Sequence, residues 1–329
     1  MRKLLLPLAL ACSIVLAFGV YVFGQAPPPL VSIRVEDAAA LAVSGNGERL
    51  FVADDQADRL SIFDFSDRDS LELLTSVTLD GSLVDVAAGQ DYAIVLVELD
   101  GEGDLMEVVA PDEYADGGYG LVAFFEIPDR PRKIMISPDY EWASVIGDDW
   151  HRIYQLISAA DNVGYPLADE PQPLMSVFAE GLAFTGIESP PSIQQFILRS
   201  NQPPRPARTL SLDDPPTQIA LNARMTLGAV LVGESLLKLF DPVTMDQIGE
   251  DVALQRPITH IEFIVREDGD WLVALTDEGS DLLLLPVSEP SAVGEIGALP
   301  VAMEPTAIIA HDDRIVVSDG QRISVFSLD

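Results

Sequence analysis

The sequence predicts an all-β fold, a seven-bladed β-propeller, and two observations carry that expectation. A repeat of roughly 43 residues is legible seven times between residues 30 and 329, and each copy has the same order of short apolar strands separated by turns bearing Gly, Asn or Asp. A period of this length built from short strands is the pattern of one propeller blade per repeat. The first strands centre on residues 41–43, 84–86, 134–136, Val177, 219–221, 261–263 and 308–310. One domain over residues 30–329 accounts for all seven copies.

Blade one shows the repeat most plainly. Ala40-Leu41-Ala42-Val43 leads into the turn Gly45-Asn46-Gly47, then Arg49-Leu50-Phe51-Val52-Ala53, an acidic turn, Leu60-Ser61-Ile62-Phe63-Asp64 and an outer strand over residues 71–79. The Gly and Asn of the first turn are expected to supply the positive φ of a tight hairpin. Blade two carries an Asp- and Gly-rich insertion at 111–119 between its third and fourth strands. Blade three has a poorly defined fourth strand near Pro166. Blade four departs furthest: Ser189-Pro190-Pro191 replaces the acidic turn, and 201–206 reads as a proline-rich loop confined to a turn or an edge. Blade six reads 261–265, 271–275 and 282–287. Blade seven has three strands, and Leu30-Val31-Ser32-Ile33-Arg34-Val35 has the alternation of the missing fourth. The N-terminal strand is therefore expected to close the ring and remove an open junction.

The strand Leu50-Phe51-Val52-Ala53-Asp54 followed by Leu60-Ser61-Ile62-Phe63-Asp64, echoed in blade five by Leu237-Lys238-Leu239-Phe240-Asp241-Pro242-Val243-Thr244, resembles the YVTN-repeat propellers of surface-layer and lactonase-like type. The Tyr-Val-Thr-Asn signature itself is absent, as is the Trp-Asp dipeptide of WD40 repeats. The resemblance implies the fold and transfers no catalytic residue.

Arg2 and Lys3 precede an apolar stretch over 4–23, followed by Gly24-Gln25-Ala26 and Pro27-Pro28-Pro29. Residues 1–26 read as a signal peptide or a retained membrane anchor, with 27–29 as a Pro linker. Positive charge inside then places the propeller outside the cytoplasm, periplasmic or at the cell surface, tethered or secreted. The formal net charge of −34 argues against nucleic acid as a partner, because like charge repels a phosphate backbone. Only Lys3, Lys133 and Lys238 are lysines. An acidic, lysine-poor surface fits either a salty environment or codon bias. Cys12 is the sole cysteine, so neither an internal disulfide nor a cysteine-based metal site exists.

Acidic second turns recur: Asp54, Asp55 and Asp58; Asp100, Glu102 and Asp104; Asp148 and Asp149; Asp277, Glu278 and Asp281; Asp319. Equivalent turns emerge on one face and are expected to ring a mouth of the central channel. Asp100, Glu102 and Asp104 form the best metal candidate, a weak calcium site, since hard cations take oxygen ligands. Asp and Gly are also ordinary turn formers. His260 and His311 border first strands, while His151 lies elsewhere. No His-Glu-x-x-His motif and no Gly-x-Ser-x-Gly elbow occurs. Trp142, Trp150 and Trp271 read as packing between blades, and Arg130-Pro131-Arg132-Lys133 reads as an interblade salt bridge. No cofactor is expected beyond weak Ca²⁺. The reading leans away from an enzyme toward an extracytoplasmic scaffold for a protein or surface polymer, including a partner in a membrane complex. The alternatives are a lactonase-like or other metal-assisted hydrolase and a structural envelope component.

Overall fold

The computed structural model describes residues 29–35, 38–54, 58–67, 69–99, 103–156, 162–167, 173–254, 256–266, 269–276, 281–287, 297–301 and 305–327. The signal or anchor expected over residues 1–26 lies outside the described residues.

β1 (Val31–Arg34) precedes the first blade, which comprises β2 (Ala38–Val43), β3 (Arg49–Asp54), β4 (Arg59–Asp64) and β5 (Glu72–Thr78). Blade two holds β6 (Ser82–Ala88), β7 (Ala93–Glu98), β8 (Asp104–Pro111) and β9 (Tyr119–Ile127). Blade three holds β10 (Pro131–Ile136), β11 (Trp142–Gly147), β12 (His151–Leu156) and β13 (Asn162–Pro166). Blade four holds β14 (Pro173–Ala179), β15 (Leu182–Ile187), β16 (Ser192–Arg199) and β17 (Gln202–Ser211). Blade five is β18 (Pro216–Leu221), β19 (Gly228–Val232), β20 (Leu236–Phe240) and β21 (Gln247–Ala253). Blade six is β22 (Ile258–Arg266), β23 (Gly269–Thr276), β24 (Asp281–Pro286) and β25 (Gly297–Pro300). Blade seven contributes β26 (Ala307–His311), β27 (Arg314–Ser318) and β28 (Arg322–Ser327). Each blade is a four-stranded antiparallel sheet in chain order, except that β1 adds to β28 as the fourth strand of blade seven.

That addition closes the ring as the alternation of residues 30–35 predicts. Val31, Ser32, Ile33 and Arg34 pair with Val325, Ser324, Ile323 and Arg322. The Leu30 and Val35 N–H groups donate to the Val325 and Gln321 carbonyls at 2.8 and 2.9 Å. A second tie crosses the same junction: the Arg314 guanidinium donates to the Phe65 carbonyl at 2.7 Å and lies 3.7 Å over the Phe65 ring. Charge-assisted hydrogen bonding and cation–π attraction thus join blade seven to blade one.

The first strands of successive blades touch one another around the ring, so they form the channel wall. The core is not central. It is divided into seven apolar clusters, one at each interface between blades. The period of two along a strand produces this division. In β3, Leu50 and Val52 pack toward blade seven, while Phe51 and Ala53 pack toward blade two. Both faces are buried, which is why the inner strands read as continuous apolar runs. Each such large side chain removed from water contributes about 1.5–3 kcal/mol.

Two expectations need correction. In the blade-one turn, the positive φ (69°) belongs to Gly47, while Asn46 works through its side chain, whose carbonyl accepts the Glu48 N–H at 3.0 Å. The segment 201–206 is not a loop beyond its first residue: Gln202 opens the ten-residue β17, the outermost strand of blade four. Pro203, Pro204 and Pro206 are tolerated there because an outermost strand has a free side that needs no donors.

Candidate functional site

The acidic second turns connect the second strand of a blade to its third. The strands that flank them lie one strand behind the channel wall, and Asp55, Asp100, Glu102, Asp277 and Glu278 lie outside the described residues. Among the described acids, the innermost ones serve the fold. Asp54 is buried at the end of β3 and receives Arg59 Nη2 at 2.7 Å. Asp104 is buried at the start of β8. Its Oδ1 accepts the Leu99 N–H at 3.1 Å, and its Oδ2 accepts the Arg130 N–H at 2.7 Å in the connection leading into blade three. Among the described residues, no three His, Cys, Asp or Glu side chains converge as a metal centre would require.

Sequence reading missed Asp85, a carboxylate inside β6. It accepts the Ile134 N–H of blade three at 2.9 Å and pairs with Lys133 Nζ at 3.6 Å. Burial pushes its pKa up, opposed by Lys133 and by backbone hydrogen bonds. The basic cluster at 130–133 therefore divides. Lys133 forms the interblade pair, while Arg130 and Arg132 pair within their own blade with Asp148, at 3.8 and 3.9 Å.

The histidines do not assemble. His151 is buried in β12 with Nε2 2.7 Å from the Ser144 hydroxyl, and burial pushes its pKa down to about 3. His260 Nε2 lies 3.2 Å from Glu262 Oε1 on the same strand. His311 packs beside Gly47 and lies 3.7 Å from Asp312. Burial lowers its pKa, with Asp312 opposing and Arg314 reinforcing. Trp142 is buried between blades three and four against Tyr165, as its strand position predicts.

The most unusual surface lies on the outer strands of blades one and two. Leu73 and Leu74 of β5 are 53% and 38% exposed, and Val122 and Phe124 of β9 are 41% and 60% exposed. Tyr114, in the blade-two insertion, is 89% exposed. The insertion leans onto blade one through Gly117, whose φ of 80° and closeness to the Thr75 side chain leave no room for a Cβ. Phe124 stands directly opposite Glu107 in the β8–β9 register, and cross-strand partners share a face. Glu107 is fully buried. Its Oε1 accepts the Asp80 N–H at 3.2 Å, and its Oε2 has no hydrogen-bond partner. Burial pushes its pKa up to about 7, with the neighbouring Asp80 carboxylate adding to the rise against the Asp80 N–H bond. The signal available in the sequence was one acid, Glu107, inside Leu105-Met106-Glu107-Val108-Val109. Exposed Glu72, Glu113 and Glu126 lie on the same outer strands and insertion; Leu73 stands opposite Phe63, whose face looks toward blade seven, while Phe124 shares the face of Glu107.

No family model matches the chain, and no curated protein sequence matches it. Solved structures do resemble it. The β-propeller domain of Cps50 (Swd1) from Myceliophteria thermophila superposes with a TM-score of 0.71 at 11% identity, covering 92% of this chain and 99% of that one. Sqt1 from Saccharomyces cerevisiae gives 0.66 at 10% identity, covering 92% and 100%. A functionally unknown protein from Desulfotomaculum acetoxidans gives 0.64 at 13% identity, covering 89% and 90%. At such low identity, what the chain shares with these proteins is the seven-bladed propeller fold.

Proposed function

We propose that this chain is a non-catalytic propeller scaffold that holds a protein partner on the outer face of blades one and two. The observation that carries the reading is the exposed apolar set Leu73, Leu74, Val122, Phe124 and Tyr114 on adjacent outer strands. Large apolar side chains left exposed on outer strands mark an interaction site, because leaving them in water forfeits hydrophobic stabilisation. The exposed acids on the same strands and insertion, Glu72, Glu113 and Glu126, favour a partner that combines apolar and basic side chains. The buried carboxylates Asp54, Asp85 and Asp104 spend their hydrogen bonds on joining strands and blades, which supports a structural use for them.

The location that fits this scaffold is outside the cytoplasm, supported by Arg2, Lys3 and the apolar run over 4–23. Membership in the YVTN-repeat group is part of the same proposal and rests on the blade-one and blade-five strands. Affinity purification from the native membrane, comparing wild type with Phe124→Glu, tests the reading. A partner captured by wild type and lost from the variant, at unchanged melting temperature, supports it. Equal capture by both removes this face from the account.

A further inference from the structure

The chain has 53 acidic and 19 basic residues, yet residues 189–212 contain no Asp or Glu and three arginines, Arg199, Arg205 and Arg208. They lie on β16 and β17, the outer pair of blade four. Ile197 pairs with Arg205 and Gln195 with Arg208. Cross-strand partners share a face, and alternation along β16 puts Arg199 on the same one. That face looks toward blade five: Gln195 Nε2 donates to the Pro242 carbonyl at 2.7 Å, and Arg208 Nη1 donates to the Thr244 carbonyl at 3.1 Å.

All three arginines are exposed. Among the described residues no carboxylate pairs with any of them, in contrast to Arg130, Arg132 and Lys133. Two acids beside this face, one just after β17 and one two residues before Val243, are committed elsewhere. Asp213 pairs with Lys238 at 3.2 Å, and Asp241 accepts the Val243 and Thr244 N–H groups at 2.7 and 3.1 Å. Exposed apolar side chains accompany the guanidinium groups: Ile197 is 37% exposed and Val243 60%. Pro203, Pro204 and Pro206 remove three backbone donors from β17, so an added strand finds a poor ladder and recognition falls to side chains.

We propose that this outer face of blades four and five binds an extended acidic segment of another protein, its carboxylates on Arg199, Arg205 and Arg208 and its apolar side chains on Ile197 and Val243. The guanidinium fork matches a carboxylate with two parallel hydrogen bonds. The interleaved apolar residues favour a peptide over a bare polyanion, and the net charge of −34 repels a dense polyanion at longer range. This surface is separate from the one on blades one and two and rests on its own observations.

Fluorescence anisotropy with the full chain tests the proposal. The probe is a dye-labelled ten-residue peptide alternating Glu and Leu, compared with an all-Glu peptide of equal length and with inorganic polyphosphate. Binding of the Glu–Leu peptide is expected to weaken at least about tenfold in the double variant Arg205→Glu, Arg208→Glu. It should weaken less in Arg205→Lys, Arg208→Lys, and be unchanged in Phe124→Glu. Both arginines are exposed, so an unchanged melting temperature is the control for folding. Absence of binding, indifference to the arginine variants, or equally tight binding of all-Glu peptide or polyphosphate overturns the proposal. So does self-association of the chain that disappears in the double Glu variant, which would make a second copy the occupant.

Discussion

Asp104 shows how a turn acid becomes part of the framework. Both its oxygens take backbone N–H groups, one from its own blade and one from the connection leading into blade three. Asp104→Ala leaves two donors unsatisfied and is expected to cost about 2–3 kcal/mol in urea unfolding, with Asp104→Asn costing less. Calcium at Asp100, Glu102 and Asp104 has to compete with those amides, so calorimetry should find a Kd no tighter than about 10⁻⁴ M. Submicromolar affinity, or ester or lactone hydrolysis abolished by chelation, would favour the metal-assisted hydrolase instead. Glu107 and His151 impose opposite pH dependences. Glu107 is raised in the fold from 4.5 to about 7, so its contribution is present below pH 4.5 and is lost as pH rises toward 7. His151 is lowered from 6.5 to about 3, so its contribution is present above pH 6.5 and is lost as pH falls toward 3. Between 4.5 and 6.5 the two slopes oppose each other. Glu107→Gln should therefore be more stable than wild type at pH 8 by at most about 3 kcal/mol, less where solvent screens the charge, and the advantage should shrink to nothing by pH 4. A difference that stays constant across that range would show that Glu107 ionises normally in the fold.

Among the elements, β1 is the one that closes the ring. Four residues supply the fourth strand of blade seven, and Ile33 and Val35 pack against the cluster between blades seven and one. A chain beginning at Asp37 loses this ladder and exposes the edge of β28. It should melt well below a chain beginning at Pro27, and equal melting temperatures would show that the ring closes without β1. β17 makes the complementary point. Three prolines suggested a loop, yet pairing with β16 needs donors and acceptors on only one side of an outermost strand.

Across the whole molecule, the net charge of −34 is carried by a ring whose blades contact one another mainly through apolar clusters. Repulsion between blades is then a standing cost, softened by salt, with a Debye length near 10 Å at about 0.1 M. If the acidic, lysine-poor surface is an adaptation to salt, the melting temperature should rise as NaCl increases from about 0.1 M toward 1 M. A flat or falling curve would leave codon bias as the simpler origin of the composition.

Periodicity alone was enough to read the blade count, all seven first strands and the closing role of residues 30–35, because strand order within a blade is local and repeats with the chain. The same locality assigned the acids to the turns between second and third strands. It could not say that Asp104 would reach the Arg130 amide or Asp85 the Ile134 amide, since those contacts form only when one blade docks on the next. Nor could it show that Phe124 would be left in water opposite a buried Glu107, or that Arg199, Arg205 and Arg208 would gather beside Ile197 on one uncompensated face. Alternation assigns a side chain to one of two faces of a sheet. Whether the neighbouring blade covers that face at that height depends on the radial flare of the propeller, where outer strands diverge, and only the assembled ring decides it.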